Sequence, residues 1–291
     1  SDYLKPSVEL TTMYHKVMST QRIMAFINPY NTLNPNLNKN YHNMSYKMTN
    51  NDNVASKPSF DINFDTSVDI GELSQQIEQS VASQSVTSQA VANANHPTRQ
   101  IPPLEKWQPK LSGTMDVVVK ANGEWWHEGS QITRQLLIDL FAKVLWSEVD
   151  DNHHVEYFLK TPVEKWQIQV EDAPLLVNQV DVITQQFGAT SKPVLQFTTT
   201  QGDVVIADEQ HPIRLGLPFT HATPHDADLQ QKQVSQPYLL VRQNGDSALY
   251  GLIHRNVFYH LIELGELVEG EEGTSLILHS GDSTFTLTMT A

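Results

Sequence analysis

The stretch VVVKANGEWWHEGSQITRQLLIDLFAKVL at residues 117–145, followed at residues 157–170 by YFLKTPVEKWQIQV, decides how the rest of the chain is read. A fainter copy, LLVRQNGDSALYGLIHRNVFYHLIELGEL, occupies residues 239–267, and LILHSGDSTFTLTM follows it at residues 276–289. In each, an apolar run meets Asn-Gly (Asn122-Gly123, Asn244-Gly245), and a returning run leads into a helix that begins near an arginine, Arg134 or Arg255. Asn-Gly between apolar runs predicts a two-residue type I′ turn, which needs positive φ at both positions. Aligned without a gap from Leu159 and Leu278, the tails set Trp166 against Phe285, Ile168 against Leu287 and Val170 against Met289. The pattern predicts an α+β fold built on a duplicated β-β-α-β-β unit, with mainly antiparallel sheets in two domains.

Working outward, residues 115–120 and 124–128 read as strands. Residues 133–146 read as a helix capped by Ser130, with Leu136, Leu137, Leu140, Phe141, Val144 and Leu145 on one stripe. Val155–Lys160 and Lys165–Val170 read as strands, the latter with Trp166, Ile168 and Val170 on one face. Glu171-Asp172-Ala173-Pro174 reads as the joint between a first domain, residues 101–175, and a second, residues 176–291. In the second domain residues 175–183, 194–200 and 204–207 are predicted strands, with a turn at Thr200-Gln201-Gly202-Asp203. Residues 211–236, polar and interrupted by Pro212, Pro218 and Pro224, read as a long loop. The second helix is predicted over residues 257–264, capped by Asn256 and stopped by Gly265.

The first hundred residues differ in kind. Asn recurs at ten positions between Asn28 and Asn53, and segments so poor in apolar residues do not offset the entropy of ordering. They read as a low-complexity, disordered tail with one marginal helix over residues 69–94, where Ile70, Leu73, Ile77 and Val81 recur at helical spacing. This tail carries 7 basic and 8 acidic side chains, which leaves 12 basic and 25 acidic for the remainder of a chain of formal charge −14. So acidic a body repels phosphate backbones and anionic bilayers, so neither duplex nucleic acid nor membrane is an expected partner. The absence of Cys excludes disulfides, thiolate metal sites and a cysteine nucleophile. No secretory signal is recognisable in residues 1–30, and a cytoplasmic location is the expectation.

Candidate chemistry is sparse. Arg134 and Arg255, at equivalent places in the two copies, either clamp an anion at the joint or pin each hairpin to its helix through an internal acid. Thr161-Pro162-Val163-Glu164 and Glu171-Asp172-Ala173-Pro174 place carboxylates at strand ends, where turn chemistry is the plainer explanation. His211, His221 and His225 are the one metal hint, on a Pro-rich stretch that promises no rigid support, so no metal is expected. No Walker loop, GxGxxG, GxSxG or HExxH occurs, and neither a cofactor nor a catalytic residue is assigned.

From Pro102 onward six motifs in order resemble an uncharacterised bacterial family, domain-of-unknown-function family 1285. They are residues 128–134 (EGSQITR), 161–164 (TPVE), 170–174 (VEDAP), 209–212 (EQHP), 237–242 (PYLLVR) and 253–259 (IHRNVFY). Gln131 stands where the family often has Pro, and Gln201 where Asn is common. The resemblance implies a duplicated α/β core, a second half superficially like a pleckstrin-homology fold, a ligand site at the joint for a nucleotide-like molecule, and a signalling role. Combined with the residues above, it gives a non-enzymatic sensor or adaptor for a small anionic ligand. Arg134, Arg242 and Arg255 meet the anion, Tyr238 or Tyr259 stacks on a ring, and Thr161, Glu164, Asp172 and His211 complete the candidate set. Two alternatives stay open. One is a hydrolase using Glu164 or Asp172 with His211, and the other is a protein-interaction module that uses the tail or a sheet edge.

Overall fold

The computed structural model describes residues 70–84, 101–151, 154–216, 236–271 and 273–289. The expectations for residues 1–69 and 85–100, and for His221 and His225, lie outside that range. Among the described residues the tail contributes helix α1 (Ile70–Gln84), inside the 69–94 span expected; the rest of that span lies outside the described residues. It is no isolated helix. Leu73 is 2% exposed and Ile77 is 0% exposed.

The first domain strings β1 (Leu111–Val119), β2 (Trp125–His127), β3 (Ser130–Gln131), α2 (Gln135–Lys143), β4 (Leu145–Val149), β5 (Val155–Lys160) and β6 (Lys165–Val170). They form one six-stranded sheet in the order β3-β2-β1-β6-β5-β4, antiparallel except for the parallel β1–β6 pair. Alternation sets its buried face. Trp166, Ile168 and Val170 of β6 are buried as expected, opposite Leu159 and Tyr157 of β5. Phe141 of α2 lies 6.1 Å from the Trp125 ring and closes that core.

The second domain strings β7 (Leu175–Phe187), β8 (Thr190–Thr199), β9 (Val204–Ile206), β10 (Ile213–Gly216), β11 (Gln236–Asn244), β12 (Ser247–Ile253), α3 (Arg255–Leu264), β13 (Glu266–Gly270), β14 (Gly273–Ser280) and β15 (Ser283–Met289). Its six-stranded sheet runs β10-β11-β12-β7-β8-β9, with β12–β7 parallel, and β13-β14-β15 make a small separate sheet. The protein is therefore α+β, with two mixed six-stranded sheets and one of three strands. Among the described residues no helix is long and apolar enough to cross a membrane.

The order hairpin, helix, three-stranded meander occurs twice, and the closing hairpins share a register. Leu159 faces Trp166 where Leu278 faces Phe285, and Tyr157 faces Ile168 where Leu276 faces Leu287. The sheets are nevertheless wired differently. The first meander joins its own hairpin through β6–β1, whereas the second stands apart and β12 pairs with β7 instead. Each unit also has a strand directly after its helix, β4 or β13, that the β-β-α-β-β reading lacked.

Several local expectations are corrected. α2 stops at Lys143 because Val144 leaves helical geometry (φ −107°, ψ 11°), its N–H reaching back to Phe141, and Leu145 and Trp146 then pair with β5. Arg134, not Ser130, stands at the helix N-cap, without a side-chain cap bond; Ser130 is in β3. At α3 the cap is His254, whose ring accepts from the Asn256 N–H, while Gly265 ends the helix as expected. Neither Asn-Gly makes a type I′ turn. The first is a three-residue loop closed by Lys120 N–H on Glu124 O, with Gly123 at φ +84° and Asn122 at negative φ. The second is a two-residue loop, Gly245-Asp246, with positive φ at Gly245 alone. The pair of positive φ values a type I′ turn needs occurs at Glu128 (+47°) and Gly129 (+71°), between β2 and β3. Finally, residues 213–216, expected as loop, form β10 along β11.

The domains are joined side chain to backbone. Ser147 of β4 accepts from the Ala248 N–H (3.1 Å) and donates to the Ala248 carbonyl (3.0 Å), while its own N–H meets Ser247 Oγ (3.0 Å). Within the first domain Lys120, after β1, pairs with Glu171, after β6, at 2.7 Å. The small sheet is held by Ser280, whose hydroxyl donates to Ala207 O (2.6 Å) and accepts from Leu195 N–H (3.0 Å).

Candidate functional site

The three arginines expected to converge are placed in three different settings. Arg242, on β11, is 8% exposed and committed to Asp203 in the turn after β8. Its Nε donates to Oδ1 at 2.8 Å, one terminal nitrogen donates to Oδ2 at 2.7 Å, and the other reaches Ala142 O, in the last turn of α2, at 2.5 Å. That geometry satisfies the guanidinium fork from within, so Arg242 has little left for a ligand. Arg134 and Arg255 stay exposed and line separate concavities. A shared clamp is not formed. Nor does either pin its hairpin through an acid, since among the described residues neither takes part in an ion pair.

Tyr238 is fully buried, and its hydroxyl donates to Asp172 Oδ1 at 2.6 Å. Burial pushes the Asp172 carboxyl above its ordinary range, and the Tyr238 bond works against that rise. The Tyr238 and Tyr157 phenols are driven upward by burial and by the same carboxylate, with the Arg214 charge opposing both. Arg214 itself lies over the Tyr250 ring at 4.3 Å. Asp172, Tyr238 and Tyr157 make a buried polar cluster edged by the exposed Arg214, and Tyr238 is not available to stack on a ligand. Tyr259 is half-buried and packs against the core.

The proposed acid–base set is likewise separated. Thr161 is buried and organises its own turn, accepting from Glu164 N–H (2.9 Å) and Val163 N–H (3.3 Å). Glu164 accepts from the Trp166 indole at 3.2 Å. His211 meets Asp208 at 3.1 Å, and no hydrogen bond joins it to Glu164 or Asp172. Turn chemistry accounts for these residues. Among the described residues no group of three or more His, Asp or Glu is placed to hold a metal.

Among the described residues Arg134 and Arg255 each line a concavity. The smaller, about 200 Å³, lies where the Ala121-Asn122 turn of the first domain meets Leu176, Leu252, Arg255 and Phe258 of the second. It is below the ~300 Å³ of an ordinary ligand pocket. The larger, about 640 Å³, lies between α1 (Ser74, Gln75, Glu78), α2 and the Gln201-Gly202 turn. Its α2 wall presents Arg134 and Lys143 beside Leu136, Leu137 and Leu140. Leu136 is 73% exposed, the most solvated of the large apolar side chains among the described residues. Asp139, on the same wall, accepts from Gln135 at 2.9 Å, whereas among the described residues Arg134 and Lys143 have no acidic partner. Two unpaired cations beside an apolar wall suit a small anion with a hydrocarbon portion. Of the expected site residues, this groove holds Arg134 alone. Lys143 and the α1 and Gln201-Gly202 walls escaped the sequence reading because α1 was assigned to a tail and Gln201-Gly202 to a plain turn.

Residues 102–173 match the family described as "Domain of unknown function (DUF1285), N-terminal domain", and residues 174–287 match "Protein of unknown function (DUF1285), C-terminal domain". A crystal structure of a DUF1285 family protein from Silicibacter pomeroyi DSS-3 is similar at 34% identity and a TM-score of 0.51, over 68% of this chain and 92% of that one. Another, from Shewanella baltica OS155, is similar at 25% identity and a TM-score of 0.32, over 51% of this chain and 91% of that one. No curated protein matches.

Proposed function

The chain belongs to the DUF1285 family, and from that premise we propose that it is a non-enzymatic binding protein that takes a small amphipathic anion in the groove between α1, α2 and the Gln201-Gly202 turn. The observation that carries this is the pair of unpaired cations, Arg134 and Lys143, in a ligand-sized concavity with Leu136, Leu137 and Leu140 alongside. A nucleotide is the less suitable ligand, because neither Tyr238 nor Tyr259 lines the groove. A medium-chain carboxylate or alkyl phosphate fits better. Its head meets Arg134, its chain lies on the leucines, and Lys143, nine residues and about 13.5 Å further along α2, adds its charge to the field. Since the walls come from the tail helix and both domains, occupancy favours one arrangement of three parts, which supports a sensing role, and a cytoplasmic location is part of the same proposal. The repeated element order and matched hairpin registers support an origin by duplication. The pleckstrin-homology likeness of the second half belongs to the same reading.

A thermal-shift panel tests it, with decanoate, octyl phosphate, inorganic phosphate and AMP against wild type, Arg134→Gln and Lys143→Gln. The amphipathic anions should stabilise wild type by about 2.7 kcal/mol at a hundredfold excess over Kd; Arg134→Gln should lose that response and Lys143→Gln should weaken it. An unresponsive wild type, or variants that respond as wild type does, contradicts the reading.

A second reading rests on β7. This strand pairs with β12 only over residues 175–177 and from there to Phe187 with β8 alone, leaving an edge on which Val182 is exposed. Such an edge accepts an added strand from a protein partner. Val182→Pro, which removes an edge N–H, should abolish capture of that partner while leaving anion binding intact.

A further inference from the structure

Helix α1 rests on α2 through a narrow apolar seam. Ile70, Leu73 and Ile77 fall at i, i+3 and i+7, the anchor spacing of an amphipathic helix laid in a groove. Between the anchors stand Gly71, Glu72, Ser74, Gln75 and Gln76, in which Glu and Gln favour a helix while Gly71, in the first turn, costs it about 1 kcal/mol against Ala. Among the nine described side chains of α1, at 70, 71 and 73–79, Leu73 and Ile77 alone are buried, which places α1 with the segments that open first. Charge across the seam is complementary, with Glu78 on α1 sharing the groove with Arg134 and Lys143 of α2.

A face that takes Leu73 and Ile77 of α1 in cis accepts the same two side chains from another molecule. We propose that the α2 face beneath α1 is an exchange surface, and that its occupant in trans is α1 of a second copy of this chain. Residues 85–100 separate α1 from Ile101, a length that spans at most about 55 Å when extended. Exchange then asks only α1 to leave, and both sheets stay intact. In the exchanged dimer the groove is completed by Ser74 of the partner subunit, Gln75 of the partner subunit and Glu78 of the partner subunit. The inference does not rest on a ligand in that groove.

The absence of cysteine makes the test direct. Gln75→Cys places a thiol on α1 and Leu136→Cys places one on α2, both on the groove. Equal amounts of the two single variants are mixed and treated with a short bifunctional maleimide, and the double variant serves as the reference for links within one chain. Exchange predicts a covalent dimer in the mixture that grows with protein concentration. It falls at least about tenfold when Ile77→Asp is added to the Gln75→Cys chain, the effect of losing about 1.4 kcal/mol of docking. Leu73→Asp should act in the same way. The proposal is overturned by a double variant that links while the mixture does not, by a mixture product indifferent to both Asp substitutions, or by no link in either sample.

Discussion

Arg242 and Asp203 hold each other in a buried, doubly bonded ion pair, and the same guanidinium caps the last turn of α2 through Ala142 O. One side chain of the second domain thereby fixes the helix that forms the wall of the groove. The residue expected to meet a ligand instead sets the geometry around one.

Removing one member of such a pair leaves the other charge buried without a counterion. Arg242→Met should lower stability by about 3–5 kcal/mol, and Arg242→Met with Asp203→Leu should recover most of that loss. Urea unfolding of wild type and the two variants measures both. If single and double variants are equally unstable, the packing rather than the ion pair is responsible.

Asp172 sets a pH dependence whose sign follows from its surroundings. Burial raises its folded pKa, so the folded state holds the proton more tightly than the unfolded chain, and this group erodes stability as pH rises from the unfolded value through the folded one. Asp172→Asn, which still accepts from Tyr238, should therefore be more stable than wild type at neutral pH, with the gap closing as the medium is acidified. Tyr238→Phe removes the donor to a buried carboxylate and should cost about 1–3 kcal/mol at neutral pH. Unfolding curves collected between pH 4 and pH 8 check both.

Leu73→Ala together with Ile77→Ala should act locally. Truncations in a core that opens only globally cost about 2–5 kcal/mol each, but α1 can leave without disturbing either sheet. Hydrogen exchange should accelerate over Ile70–Gln84, while β5, β6 and β11 keep their protection and the main unfolding transition barely moves. Parallel loss of protection in β5 and β6 would show that α1 is integral to the first domain.

Gly265 ends α3 where there is no room for a side chain. A Cβ there would lie 2.6 Å from Leu276 Cδ1 and 2.7 Å from the Ile277 carbonyl. The carbonyl is backbone and cannot swing away, so Gly265→Ala should cost at least the ~1–3 kcal/mol of an overpacked core, read by chemical denaturation.

Legibility from sequence followed the range of the interactions involved. Lys165–Val170 could be read to the residue because its alternation of side chains is local, and Val155–Lys160, buried without alternation from Tyr157 to Lys160, because turn residues bound it on both sides. The end of α2 could not, since Val144, Leu145 and Trp146 continue the apolar stripe while pairing with β5 pulls two of them into a strand. The Glu128-Gly129 turn was hidden because Glu seldom takes positive φ. Pairing of β12 with β7 rather than with its own meander leaves no trace in either repeat. The candidate site was least legible of all. Arg134 stood out by its repeated position, but Asp203 as the partner of Arg242 and α1 as a wall of the groove depend on contacts between distant segments.

The most direct measurement is the backbone amide spectrum of the full chain, titrated with whichever anion stabilises it most. The account predicts that shifts concentrate at Gln75, Arg134, Leu137, Lys143 and Gly202, and that they vanish in Arg134→Gln. Shifts centred instead on Leu176, Leu252 and Arg255, or a spectrum unchanged by an anion that raises Tm, would contradict it.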